Sequence, residues 1–140
     1  MRAVMSDDQF ELKTKNAVIH FAEGLIGLAE CKDFVLVEKP GFAPFRLLQS
    51  VDSPQLGFVV LEATNVFPDF YDCVPVRDWE SIGIDPAKQL AFVIVVIGST
   101  PETSTGNFQA PILVNYNKMI GKQVILTDPT YSVRHPLVYR

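Results

Sequence analysis

The stretch FRLLQSVDSPQLGFVVL, residues 45–61, decides the fold. Residues 45–51 and 57–61 are rich in apolar, β-branched and aromatic side chains, which favour strands. The Asp-Ser-Pro sequence at 52–54 separates them and is typical of a turn. We therefore predict a β-hairpin at the centre of this chain.

The same strand signal recurs on both sides of the hairpin, between prolines and glycines that divide the chain into short pieces. Residues 90–97 (LAFVIVVI) lack alternation of apolar and polar residues, so we expect a strand there that is buried on both faces. The further candidate strands are residues 17–21 (AVIHF), 34–38 (FVLVE), 90–97 (LAFVIVVI), 111–116 (PILVNY) and 122–126 (KQVIL).

A second hairpin is predicted from residues 111–116 and 122–126, with a five-residue loop that closes on Gly121. The one helix candidate is short, residues 77–82 (RDWESI), and Gly83 ends it. Many short strands with turns between them indicate a barrel or a sandwich. We predict an all-β fold, a small antiparallel β-barrel with one short helix, as a single domain over residues 1–140.

Charge is distributed unevenly along the chain. Residues 1–102 hold 8 Lys and Arg against 15 Asp and Glu, whereas residues 103–140 hold 4 against one acid, Asp128. An acidic surface repels phosphate backbones and suits a basic partner. A solvated surface with uneven charge is the competing interpretation.

The two cysteines, Cys31 and Cys73, form no CxxC motif, and free thiols suit a reducing cytoplasm. The longest apolar run is too short for a membrane-spanning helix, which needs about 20 residues. The N-terminus shows no secretion signal. We expect a cytoplasmic protein.

Catalytic motifs are absent from the sequence. Asp128, Ser132 and His135 lie close together in the chain, but a catalytic triad is defined by geometry. The two histidines are too far apart in sequence to suggest a metal site. We predict a binding protein without enzymatic activity, cofactor or metal.

Six segments resemble motifs of the FliW family of flagellar assembly factors, in the family's order and spacing, over nearly the whole chain. The segments are residues 21–27 (FAEGLIG), 45–54 (FRLLQSVDSP), 67–70 (FPDF), 107–115 (NFQAPILVN), 121–126 (GKQVIL) and 131–136 (YSVRHP).

The resemblance implies a small β-barrel that binds two proteins. One is CsrA, a dimeric RNA-binding repressor of flagellin translation, and the other is flagellin itself. Export of flagellin would free the FliW protein to capture CsrA at a surface away from the RNA site, so that flagellin synthesis resumes.

Candidate contact residues lie in three segments. Phe67, Asp69, Phe70, Tyr71 and Asp72 combine aromatic anchors with acids, as interface hot spots do. Alternatively, these aromatics plug one end of the barrel.

The other candidates have local alternatives as well. Asn115 and Gln123 could contact a partner's main chain or bond local backbone groups. Arg134 and His135 could pair with a partner's carboxylates, or Arg134 could bond an internal acid. We expect Glu23 to cap the glycine turn through backbone hydrogen bonds, and a direct partner contact is the alternative.

Two rival functions remain open. A small RNA-binding barrel would use a basic set at Lys118, Lys122, Arg134 and Arg140, against which the acidic pI of 5.1 argues. A chaperone that holds flagellin without any effect on translation is also compatible with the sequence.

Overall fold

The structure, a computed structural model, describes residues 18–84 and 88–137. The described part contains nine strands and one α-helix, α1 (Val76–Ser81), with single 3₁₀ turns at Ala63–Asn65, Phe70–Cys73 and Pro101–Thr103. The strands are β1 (Val18–Phe21), β2 (Asp33–Val37), β3 (Phe45–Ser50), β4 (Gly57–Glu62), β5 (Ala91–Val96), β6 (Thr105–Gly106), β7 (Ile112–Asn115), β8 (Ile120–Gln123) and β9 (His135–Pro136).

Seven of the strands within the described residues close into a barrel, in the order β1-β2-β3-β4-β5-β7-β8 and back to β1. Every pairing is antiparallel except β1 with β8, which is parallel. In a closed barrel of seven strands, neighbouring strands cannot all run in opposite directions, because seven is odd. At least one pair must therefore be parallel. The predicted small barrel is confirmed, and this pair makes it a mixed one.

Most predicted strands appear close to their expected places, but the strand predicted at residues 122–126 is observed at Ile120–Gln123. Strand β8 begins at Ile120, so Gly121 lies inside the strand and not in the loop. A Cβ on Gly121 would lie 2.6 Å from the ring of Phe21, so glycine is needed there for packing. The turn is made earlier, with Met119 at a φ of 55°. Ala17, predicted to begin the first strand, lies outside the described residues.

A small extension leaves the barrel at the end of β5. Strand β6 pairs with Val95 and Val96, and β9 pairs with β6. The residues just before β9 are therefore brought near the end of β5.

Two hydrophobic cores share the strands. The barrel interior includes Phe21, Phe34 and Phe92, while a second core forms beneath α1 and the 3₁₀ turns. Because successive strand residues face opposite sides, β5 gives Phe92 to the first core and Val93 to the second. This confirms that the segment is buried on both faces. Trp79 of α1 is 1% exposed and anchors the helix in the second core.

The glycine loop that follows β1 carries Leu25 into the barrel interior. Gly24 has a φ of +67°, and a Cβ there would lie 2.5 Å from the carbonyl oxygen of Leu28. Lys32 Nζ donates to the carbonyls of Ala22 and Ala29, at 3.0 Å each.

The expectation for Glu23 was wrong. Its side chain is exposed and makes no hydrogen bond within the described residues. The carbonyls of this loop require a donor, which a carboxylate cannot supply but the ammonium group of Lys32 can.

Candidate partner-binding surface

The segment from Phe67 to Asp72 divides into an inner and an outer side. Phe70 is fully buried and Phe67 is half-buried, whereas Asp69 and Asp72 are exposed. Asp69 directly precedes the 3₁₀ turn Phe70–Cys73 and Asp72 lies within it. The segment therefore packs its rings inward and presents its acids to solvent.

The C-terminal segment meets these rings. The ring centroid of Phe67 lies 4.7 Å from that of His135, 5.1 Å from Tyr131 and 5.0 Å from Phe108. Phe70 contacts Tyr131 at 5.0 Å and Phe108 at 5.8 Å. Most pairs are edge-to-face, and such pairs contribute about 0.5–1.5 kcal/mol each beyond their buried area. We call Phe67, Phe70, Phe108, Tyr131 and His135 the aromatic cluster.

Two acids, Asp69 and Asp128, act on the Tyr131 hydroxyl of this cluster. The Sγ of Cys73 lies 2.9 Å from the phenol oxygen of Tyr131. This hydrogen bond and burial raise the pKa of Tyr131 to about 12, and the charges of Asp128 and Asp69 add to the shift. Both carboxylates are therefore within electrostatic range of the Tyr131 phenol. The backbone N–H of Thr130 lowers the pKa of Asp128, which keeps that carboxylate ionised.

Val133 and Arg134 directly precede His135 in the chain. Arg134 is exposed and makes no ion pair with any residue that the structure describes, so none of the described acids is its internal partner. Val133 is 52% exposed. We call Phe67, Asp69, Asp72, Arg134 and His135 the aromatic-acidic face; it combines half-buried rings with exposed charges.

Tyr71 serves the fold. Its hydroxyl donates to a Glu62 carboxylate oxygen at 3.1 Å and accepts from the backbone N–H of Ala91 at 3.0 Å. Its ring packs edge-on against Trp79 at 5.5 Å. Burial, with the nearby Glu62 charge, raises the pKa of Tyr71 to about 12. These contacts join the 3₁₀ turn to β4 and β5.

Asn115 lies away from this face and is 4% exposed. Its Nδ2 donates to the carbonyl of Ile82 at 2.8 Å, and its Oδ1 accepts from the backbone N–H groups of Asn117 and Lys118. This amide therefore bonds local backbone groups, the second of the two roles considered for it, and it fixes the β7–β8 turn to the end of α1.

Gln123 is at a third place, beside the glycine loop. Its Oε1 accepts from the backbone N–H of Ile26 at 2.8 Å, and its Nε2 donates to the carbonyl of Ala110 at 3.0 Å. The nine predicted contact residues thus fall into three regions, and only the segments around Phe67 and His135 are brought together.

Phe108 and Tyr131 belong to the aromatic cluster but were not among the candidates, and neither was Cys73, which bonds Tyr131. Phe108 and Tyr131 do lie in two of the six segments that resemble FliW motifs, and this was the one sequence feature that could have identified them as candidates. Nothing in their spacing indicates that these motifs meet Phe67 in space.

No hydrogen bond joins Asp128, Ser132 and His135 in the described residues; the His135 ring packs on Phe67 and Phe108. Among residues 18–84 and 88–137, no group of three or more His, Cys, Asp or Glu side chains is placed to hold a metal ion. In those same residues no helix has the length and apolar character to cross a membrane.

Comparison with known proteins identifies the family of this chain. A sequence profile of the FliW protein family matches residues 7–137. The chain belongs to the FliW family. Among FliW relatives, the flagellar assembly factor FliW of Geobacillus sp. (strain WCH70) is 38% identical over 121 residues, covering 86% of this chain and 83% of that one. The flagellar assembly factor FliW of Leptospira interrogans serogroup Icterohaemorrhagiae serovar Lai (strain 56601) is 35% identical over 127 residues, covering 89% and 85%.

The FliW fold is matched as well. A crystal structure of the flagellar assembly factor FliW superposes with a TM-score of 0.78 at 35% identity, covering 90% of this chain and 88% of that chain.

Proposed function

We propose that this chain is a flagellar assembly factor that binds a CsrA-type translational regulator and flagellin, and so relieves repression of flagellin synthesis. The observation that carries the proposal is membership of the FliW family over most of the chain. Binding of this kind needs a rigid surface and no catalytic step, and the chain acts in the cytoplasm, where both partners are made.

The aromatic-acidic face is the contact surface that we propose. Phe67 and His135 are half-buried, so their rings already have a fixed position and lose little conformational freedom when a partner covers them. Asp69 and Asp72 lie beside them and match a basic, RNA-binding partner. Phe70 and Tyr71 support this face from below, because one is fully buried and the other is bonded to β4 and β5.

The same acids suggest how a bound regulator would lose RNA. Carboxylates beside the RNA path would repel phosphates, and such repulsion fades beyond about 10 Å at 0.1 M salt. Added salt weakens RNA binding by the regulator alone, and it should weaken the displacement of RNA by this chain by more than that amount. If the two effects of salt are equal, electrostatic repulsion does not contribute to the displacement.

An RNA-binding barrel is less well supported. The net charge of −4 and the acidic pI of 5.1 disfavour binding to phosphates. The basic residues also lie on separate segments, Lys122 on β8 and Arg134 just before β9.

The test is a calorimetric titration of the purified chain into CsrA from the same organism, repeated after the chain has been saturated with flagellin. Tight binding that flagellin abolishes is the expected result. Binding to flagellin alone would favour the flagellin-holding chaperone. Binding to neither protein would overturn the proposed function.

A further inference from the structure

A cleft of about 340 Å³ lies between the end of α1 and the β7–β8 turn. Its floor is apolar, from Ile84, Leu90 and Val114, and two lysines, Lys88 and Lys118, line it as well. We call these five residues and the backbone at Gly83 the lysine cleft. It lies apart from the aromatic-acidic face, and none of its described lining side chains is acidic.

Both walls of the lysine cleft are held in place. Asn115 donates to the carbonyl of Ile82 on one wall and accepts from the backbone N–H of Lys118 on the other. Lys118 Nζ lies over Gly83, where a Cβ would be 2.9 Å from it. The site therefore exists before any ligand arrives, which lowers the entropic cost of binding.

The positive charge of the cleft is not neutralised within the described residues. Neither Lys88 nor Lys118 makes an ion pair there. The acids near Tyr116, at the edge of the cleft, are Glu38 and Glu62. Glu38 is paired with Arg46 at 3.4 Å, and Glu62 accepts from Tyr71.

We propose that the lysine cleft binds an acidic segment of a protein partner. Lys88 and Lys118 would pair with its carboxylates, and the apolar floor would receive a neighbouring side chain. Nucleic acid is disfavoured because the chain carries a net charge of −4. The proposal rests on the proposed function in one respect, since one of the two partner proteins would supply this segment.

The probe is a capped peptide, acetyl-Glu-Leu-Glu-Leu-Glu-amide, titrated at low salt into the ¹⁵N-labelled full chain. Amide shifts should concentrate at Gly83, Tyr116, Asn117 and Lys118. Lys118→Glu should weaken binding roughly fivefold or more, because it replaces an attraction by a repulsion. Lys122→Glu makes the same charge change outside the cleft lining and should have a clearly smaller effect.

Shifts that avoid the cleft, or equal weakening by both variants, would overturn the proposal. Stronger shifts of the cleft amides by a single-stranded RNA oligonucleotide would also overturn it. If Lys118→Glu unfolds the chain, as loss of its dispersed NMR spectrum would show, Lys88→Gln and Lys118→Gln replace it in the titration. These two variants remove a positive charge without introducing a negative one. Because the peptide replaces the partner, this titration decides the cleft even if the chain binds neither CsrA nor flagellin.

Discussion

The imidazole ring of His135 lies 4.7 Å from the phenyl ring of Phe67, centroid to centroid. This contact joins two segments that are far apart in the chain, and it brings the C-terminal segment against the one that carries the exposed acids Asp69 and Asp72. The proposed partner surface exists only because the C-terminal segment docks on the aromatic cluster. Changes at the cluster should therefore affect stability, and changes at its acidic border should affect binding.

Phe67→Ala should destabilise the fold by about 2 kcal/mol, below the value for a fully buried phenylalanine because the ring is half-buried. The measurement is chemical denaturation at neutral pH. Val133→Ala removes an exposed apolar side chain nearby and should cost less than about 0.5 kcal/mol. Similar costs for both variants would contradict the ring packing.

Asn115→Ala should cost about 2–3 kcal/mol, because it leaves the Ile82 carbonyl and two backbone N–H groups of the turn without their partner. Asn117→Ala is the matched control, since that side chain is exposed. Thermal unfolding of both variants measures the difference. A stable Asn115→Ala chain that has lost partner binding would instead make this amide a contact residue.

Gln123→Leu should leave the barrel folded but loosen the glycine loop, because the Ile26 N–H loses its acceptor. Hydrogen exchange at the Ile26 amide is expected to accelerate by about tenfold, the equivalent of one ordinary hydrogen bond. Gln55→Leu, at an exposed turn position, should leave that amide unchanged. Unchanged exchange in Gln123→Leu would show that Lys32 alone holds the loop.

Stability should fall as pH rises from 10 to 12. In the unfolded chain tyrosines ionise near pH 10, whereas the pKa values of Tyr71 and Tyr131 are about 12 in the fold. Over that range the unfolded state binds fewer protons, so each tyrosine lowers the free energy of unfolding by up to about 1.4 kcal/mol per pH unit.

Tyr71→Phe tests this pH dependence. The variant should be less stable at neutral pH, because the Ala91 N–H loses its acceptor, and its stability should fall less steeply above pH 10. Denaturant titrations at intervals from pH 9 to 11.5 measure both effects. A slope equal to that of the unchanged chain would contradict the assigned shift.

The strands could be predicted because their signal is local. Proline and glycine punctuation with apolar runs between them identified the segments of β2 to β5 close to their observed bounds. The register of β8 was less accessible, because the reason for Gly121 is the ring of Phe21, which is remote in sequence. Local turn rules interpret such a glycine as part of a loop.

The candidate surface was only partly predictable for the same reason. The residue types around Phe67 and His135 indicated contact chemistry, but their proximity depends on β9 pairing with β6, and these two-residue strands leave no periodic pattern. Asn115 and Gln123 have the composition of contact residues, yet their amides bond the backbone of segments that only the fold brings near.

The central claim is that the aromatic-acidic face binds the regulator, and charge reversal at its exposed acids tests this most directly. The double variant Asp69→Lys and Asp72→Lys should bind CsrA at least about tenfold more weakly by calorimetry, because it opposes a basic partner. Asp52→Lys, on the β3–β4 turn, is the control and should retain affinity to within about threefold. Undiminished binding by a correctly folded double variant would contradict the claim and place the contact elsewhere on the barrel.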